Sequence, residues 1–257
     1  MNKTFNFISG LPRAGSTLLS SILNQNPRFS ASIQDPLSGV INLMTTEFSH
    51  PRSNILVPPE KRKRVIKGLF DNYYEDTNKE VIFNSSRFWG ESIHIIKDIY
   101  PDSKILMCVR DLGWILDSFE LLYRKYPYSV PQYVTPQENH SMYTRASALL
   151  GDAMIGYPVV CLKTALYSEH KSSVMLVEYN DLCKNPKLMM KNIYGFIGEE
   201  EFTHDFDNVA VQYDDYDAHV MPGLHTVRKK VEFKQRQTIL PPDIWDMVRG
   251  SEFWRKK

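Results

Sequence analysis

Gly10, Arg13, Gly15, Ser16 and Thr17, within FNFISGLPRAGSTLL (Phe5–Leu19), are residue types that together can hold an anion. The two glycines let the backbone turn where other residues resist, so that successive N–H groups point inward. Arg13 adds a forked cation, and Ser16 and Thr17 add hydroxyls. An apolar run (Phe5, Phe7, Ile8) precedes the loop, and apolar residues at helical spacing (Leu18, Leu19, Ile22, Leu23) follow it. This predicts strand, tight loop and helix, and a helix start behind such a loop completes an anion site. The spacing Gly10-x4-Gly15 is that of a P-loop, but Gly15-Ser16-Thr17 stands where a P-loop has Gly-Lys-Ser/Thr. A triphosphatase sets that lysine on the β- and γ-phosphates, so its absence argues against ATP hydrolysis. The plainer alternative is a βα turn with no ligand.

A second clamp is readable farther on. Lys104–Asp111 (KILMCVRD) is a continuous apolar run of the kind buried on both faces of a parallel sheet. Arg110 ends it, and a helix from about Trp114 to Tyr126 carries Ser118 eight residues later. An arginine at a strand tip and a hydroxyl on the next helix can grip one phosphate from two sides; an Arg110–Asp111 surface pair is the alternative. Arg87 follows the short strand Glu80–Phe83 and therefore also sits at a strand tip. Asp35 lies on the connector beyond the first βα unit, where Pro36 enforces extended geometry. It is either a cap for the helix from Leu37 or a general base. Arg228, Lys229, Lys230, Lys234 and Arg236 crowd one late segment, either a solvated basic tail or a loop over an anionic ligand.

The elements that must position these residues follow from periodicity. A helix runs from Pro58-Pro59-Glu60 to about Tyr74, with Lys61–Arg64 as its solvated end. After the strand Glu80–Phe83 comes a helix to about Tyr100. Tyr126–Pro136, rich in proline and tyrosine, is a loop that serves as lid or substrate wall. Tyr157–Leu162 reads as extended, Ser173–Tyr179 as a buried strand, and Pro186–Ile197 as a helix closed by Gly198. Glu199–Asp217 is an acidic solvated loop or an acceptor-recognising one, and Ile244–Val248 is helical. The alternation predicts an α/β fold: a P-loop-type three-layer α/β/α domain with a mostly parallel central sheet and helices on both faces. One domain is expected over residues 1–257, with the segment from about 219 to 257 closing over the ligand.

Composition narrows the function. With 42% hydrophobic and 24% charged residues the chain is expected to be a soluble globular protein, and a net charge of +1 gives no bulk field to draw nucleic acid or a membrane. Three scattered cysteines fit neither a disulfide framework nor a zinc site. Without a signal peptide or an apolar run of about 18 residues, a cytoplasmic protein is expected.

The loop LPRAGSTLL resembles the 5′-phosphosulfate loop of the PAPS-dependent sulfotransferases, which use 3′-phosphoadenosine 5′-phosphosulfate. The order of motifs extends the likeness over nearly the whole chain: this loop, the Arg110-ending strand with Ser118, VEYNDLCKNP after a late strand, and a basic C-terminal loop. The nearest branch is that of the tyrosylprotein sulfotransferases and related bacterial enzymes. The resemblance implies that Arg13, Ala14, Gly15, Ser16, Thr17 and Leu18 hold the 5′-phosphosulfate, Arg110 and Ser118 the 3′-phosphate, and Tyr179 the adenosine. Arg228, Lys229 and Lys230, with Lys234 or Arg236, would cover the phosphates. It implies in-line transfer of a sulfuryl group to a hydroxyl of a small molecule, saccharide or peptide, with no metal required and with a homodimer possible. Tyrosylprotein sulfotransferases carry a glutamate where this chain has Gln34-Asp35, and a lysine where it has Ser85. Asp35 as base and Arg87 as substitute cation follow as expectations beside Arg13, with His225 a second candidate base. A P-loop small-molecule kinase and a non-catalytic binder of adenosine bisphosphate are the alternatives.

Overall fold

The computed structural model describes residues 3–126, 128, 134–209, 217, 219 and 222–255. Five strands make one sheet: β1 (Thr4–Gly10), β2 (Phe29–Ala31), β3 (Val81–Ser85), β4 (Ile105–Val109) and β5 (Val174–Glu178). Their order is β2-β3-β1-β4-β5, and every ladder is parallel. β1 is central, with Phe7 in register with Asn84 of β3 on one side and Ile105 of β4 on the other. Parallel strands need crossover connections that cover the faces of the sheet, so the inner strands are largely apolar, with Asn6, Ser9, Asn84 and Ser85 as buried polar exceptions. β3 and β4 are buried at every residue, whereas β5, at the sheet edge, buries only Val177. The expected buried strand at Ser173–Tyr179 is thus a half-covered edge.

The helices are α1 (Ser16–Leu23), α2 (Leu37–Ser49), α3 (Pro51–Leu56), α4 (Pro59–Tyr73), α5 (Ile93–Ile99), α6 (Leu112–Lys125), α7 (Met142–Leu150), α8 (Tyr157–Leu166), α9 (Tyr179–Lys184), α10 (Pro186–Ile197) and α11 (Pro242–Val248). Asp111 caps α6, its Oδ1 accepting from the Trp114 N–H at 3.2 Å, and so starts the helix directly after Arg110. An aromatic cluster fixes α4 on β1: Phe70 meets Phe5 and Phe7 edge-on at 5.6 and 5.9 Å between centroids.

Tyr157–Leu162 is not extended but the start of α8. Pro158 suits a first helical turn, and Cys161, Leu162 and Ala165 bury one helical face, which overrides the strand preference of Val159-Val160. The short strand β2 and the two-turn α3 carry too few residues for a period to show. Most of the expected lid, Tyr126–Pro136, and residues 210–216 of the acidic segment lie outside the described residues. No single helix among the described residues is long and apolar enough to cross a membrane.

The chain runs from β1 out to β2, returns through β3, and crosses over to β4 on the opposite side of β1. The order therefore reverses about β1, and the crevice at a reversal lies outside the carboxyl ends of the strands.

Candidate active site

A cavity of about 320 Å³ opens at those carboxyl ends. Its walls are residues 8–13 and 15–18 after β1, Ile33 and Gln34 after β2, 85–88 after β3, Arg110 after β4 and Tyr179 after β5. Ser118 of α6 and parts of the segment 224–236 complete it.

The loop after β1 is bent by Gly10 (φ 114°) and Gly15 (φ 95°), with Arg13 between them also left-handed at φ 55°. Gly10 has a second constraint: a Cβ there would lie 2.1 Å from the Cys108 carbonyl oxygen of β4. At Gly15 the added Cβ would lie 2.8 Å from Tyr179 Cδ2, so the tyrosine ring lies against the bare backbone. α1 starts with no side-chain cap on its first N–H groups, and Ser16 and Thr17 line the cavity. Uncapped N–H groups at a helix start favour an anion.

Arg13 ties three elements together. Its Nε donates to Ser118 Oγ at 3.0 Å, and its guanidinium also donates to the Leu224 carbonyl of the C-terminal segment. Its own carbonyl accepts from Arg110 at 3.2 Å. The Arg110 guanidinium lies 4.2 Å from the Tyr179 ring centroid, and its buried Nε has no hydrogen-bond partner among the described residues. Burial, above all, holds the Arg110 pKa below the usual arginine value. Arg236 is held by the buried Asp117 and lies 4.9 Å from the Trp114 ring centroid. Asp117 also accepts from Thr238 Oγ1 at 2.8 Å and the Ile239 N–H at 2.9 Å, which anchors the returning segment on α6.

Also on the cavity wall, His225 Nδ1 lies 2.6 Å from Oδ1 of the buried Asp217, whose Oδ2 accepts from the His225 backbone N–H at 2.8 Å. A carboxylate only accepts, so Nδ1 carries the proton and Nε2 is the basic nitrogen. Burial lowers the His225 pKa; Asp217 opposes this, and the nearby Arg13 and Arg87 reinforce it. The imidazole is therefore neutral over more of the pH range than an ordinary histidine.

The sulfotransferase family model matches residues 7–204 of the chain. The chain belongs to the sulfotransferase family. Two solved structures share its fold. A sulfotransferase from Alicyclobacillus acidocaldarius is 15% identical, with 85% of this chain and 90% of that one covered and a TM-score of 0.52. The sulfotransferase domain from the curacin biosynthetic pathway is 14% identical, with 79% and 76% covered and a TM-score of 0.51. No curated protein matches the chain in sequence. The match ends before His225 and the basic segment, so this sulfotransferase's late cavity wall rests on its own geometry.

The cavity brings together Arg13, Gly15, Ser16, Thr17, Leu18, Arg87, Arg110, Ser118, Tyr179, Arg228 and Lys230. Ala14 is 1% exposed and packs in the core, so only its backbone serves the loop. Lys229 does not line the cavity and its side chain is exposed; Val209 N–H bonds its carbonyl at 2.8 Å. Lys230, though a wall residue, pairs with Asp207 at 2.8 Å. Asp35 is not brought to the cavity. Its Oδ1 accepts from the Leu37 N–H at 3.0 Å and its Oδ2 from Tyr74 Oη at 2.7 Å, so it fixes the start of α2 against α4. The helix-start alternative accounts for these contacts and the general-base expectation does not. Asp217 and Asp117 were not legible as site residues: one stands in an acidic run that looks solvated, the other mid-helix among apolar neighbours.

Proposed function

We propose that this sulfotransferase moves a sulfuryl group from 3′-phosphoadenosine 5′-phosphosulfate to the hydroxyl of an acceptor by in-line transfer. The observation that carries this reading is Arg110: a half-buried guanidinium against the Tyr179 ring, whose buried Nε has no hydrogen-bond partner among the described residues, on one cavity with Ser118 and a glycine cradle. A buried donor without a partner is costly unless a ligand completes it, and an arginine fork with a serine hydroxyl suits a phosphate on the ribose. The loop amides, Ser16, Thr17 and Arg13 suit the 5′-phosphosulfate end, and Tyr179 offers its ring beside the adenosine. Bound there, the donor supplies a sulfur that bonds to the acceptor oxygen as its bond to the phosphate oxygen breaks.

The chain's own residues then do three things. Arg13 and the loop amides face the oxygen on which negative charge grows, and preorganised donors of this kind act without reorganisation cost. His225 Nε2 takes the acceptor proton, and Asp217 fixes the tautomer and steadies the imidazolium that forms. Arg87, near His225, is the cation for the moving group in place of the lysine that Ser85 replaces. The segment 219–257 closes over the donor through Arg228, Lys230 and Arg236. The acceptor is a hydroxyl-bearing small molecule, saccharide or peptide.

Thermal-shift measurements test the donor: 3′,5′-adenosine bisphosphate is expected to raise Tm and Mg-ATP not to. The reverse result would point to a small-molecule kinase. Transfer of labelled sulfate to a panel of phenols, sugars and peptides separates a transferase from a binder of adenosine bisphosphate.

A further inference from the structure

Away from the cavity, three side chains of metal-ligating type converge on the outer surface. His94 lies in the first turn of α5; Glu169 and His170 lie in the connection from α8 to β5. Glu169 Oε1 is 3.8 Å from His94 Nδ1 and 3.5 Å from His170 Nε2. All three ligand atoms fall within 4.8 Å of one another. The imidazoles are crossed rather than stacked, with planes at 63° and centroids 5.2 Å apart.

Two ligands on one tetrahedral zinc, at bonds of about 2.0–2.1 Å, stand about 3.3–3.5 Å apart. Of the three separations, Glu169–His170 meets this value, Glu169–His94 exceeds it by a few tenths of an ångström, and His94–His170 lies within 4.8 Å; the exposed His94 imidazole closes in by turning about χ1 and χ2. The plainer account is a surface ion pair. A carboxylate with 76% of its side chain in solvent gains little from an imidazole at such distances. That account gives no reason for two imidazoles from separate elements to meet at one carboxylate oxygen. Imidazole and carboxylate are borderline ligands that suit zinc and its neighbours rather than magnesium or calcium.

We propose that His94, Glu169 and His170 form a surface site for a divalent transition metal of the zinc class, with water completing the coordination. None of the three lines the cavity, so the site is separate from sulfuryl transfer. Its place in the fold gives it a mechanical role. Gly90, ahead of α5, already packs so closely on α8 that a Cβ there would lie 2.3 Å from the Cys161 carbonyl oxygen. A metal at His94, Glu169 and His170 adds a second tie between these elements, joining α5 to the turn that leads into β5.

The test titrates metal-free full-length protein with ZnCl2 by calorimetry, and with CoCl2 while the visible spectrum is read. One equivalent of zinc is expected to bind with micromolar or tighter affinity and to raise Tm, and cobalt is expected to give the intense bands of a four-coordinate ion. His94→Ala and His170→Ala are each expected to weaken zinc binding more than about 10-fold, the low end of what even an outer partner of a ligand is worth. Each should also abolish the cobalt bands and leave sulfate transfer unchanged. Both replacements are on the surface, and circular dichroism checks that they fold. No saturable binding below millimolar zinc, or binding that survives both replacements, would overturn the site.

Discussion

Replacing Arg110 by alanine should separate affinity from stability, lowering the first and leaving the second nearly unchanged. The guanidinium is half-buried, its buried Nε has no hydrogen-bond partner among the described residues, and burial disfavours its charge. Removing it relieves that desolvation but loses the contact with the Tyr179 ring at 4.2 Å, worth about 0.5–2 kcal/mol, and one hydrogen bond to the Arg13 carbonyl. These effects oppose one another, so the unfolding free energy is expected to change by no more than about 1 kcal/mol. Binding has no such offset. A charged hydrogen bond is worth about 1.5–3 kcal/mol, which is roughly a 10- to 150-fold loss of affinity for 3′,5′-adenosine bisphosphate. The loss should be specific to the phosphate on the ribose, so adenosine 5′-monophosphate should bind wild type and variant within a few-fold of each other. Calorimetry with both nucleotides on both proteins closes the cycle, and denaturant melts supply the stability. If the two nucleotides lose affinity equally, Arg110 does not read the second phosphate and the reasoning fails.

Three further outcomes are expected. Gly10→Ala places a Cβ 2.1 Å from the Cys108 carbonyl oxygen at φ 114°, so urea melts should show a loss of at least about 2 kcal/mol, from backbone strain and overpacking together. Because burial lowers the His225 pKa, the acid limb of kcat/KM should lie below the ordinary histidine value of about 6.5. His225→Ala should reduce kcat about 10²- to 10⁴-fold, and Asp217→Asn, which removes the group that favours the imidazolium, should move that limb further to acid while lowering kcat; a limb that stays in place in the asparagine variant would detach Asp217 from the base. Asp35→Ala strands the Tyr74 hydroxyl and the Leu37 N–H, so denaturant melts should show a loss of about 1–3 kcal/mol, while turnover per folded molecule stays unchanged; a collapse of turnover in folded protein would return Asp35 to the chemistry.

The parts of this molecule that were legible in sequence are those where local pattern and tertiary role agree. β1, its loop and α1 carry an apolar run, positive-φ glycines and a helical period in succession, and β4 is apolar because both its faces are covered. Arg87, Arg110 and Tyr179 could be set at strand tips because parallel strands all present their carboxyl ends to one side. What escaped depends on contacts remote in the chain. Nothing around Val159-Val160 tells that Cys161, Leu162 and Ala165 have a core to meet, so α8 read as extended. Asp35 before a helix has the same local signature whether it caps or abstracts a proton, and only Tyr74, 39 residues away, decides. Asp217 stands eight residues from His225 in a run of acids and tyrosines, and a hydrogen bond between them leaves no period to read.

The missing P-loop lysine becomes intelligible once the cavity's cations are traced to their elements. In a triphosphatase one lysine inside the loop serves adjacent β- and γ-phosphates. Here the loop keeps only Arg13, and the others come from the segment after β3 (Arg87), the tip of β4 (Arg110) and the late segment (Arg228, Lys230, Arg236). Charges drawn from several elements in this way are not the single in-loop lysine that serves a contiguous triphosphate. They also require that loop, strand tip and late segment be held in register. Arg13 meets that requirement by bonding Ser118 and Leu224 while Arg110 bonds its carbonyl, and buried Asp117 meets it again by holding Arg236, Thr238 and Ile239. A lysine, a point charge without the guanidinium fork, could not make the two divergent bonds of Arg13. The left-handed backbone at Arg13 is thus the local cost of one side chain that both lines the cavity and joins the walls around it.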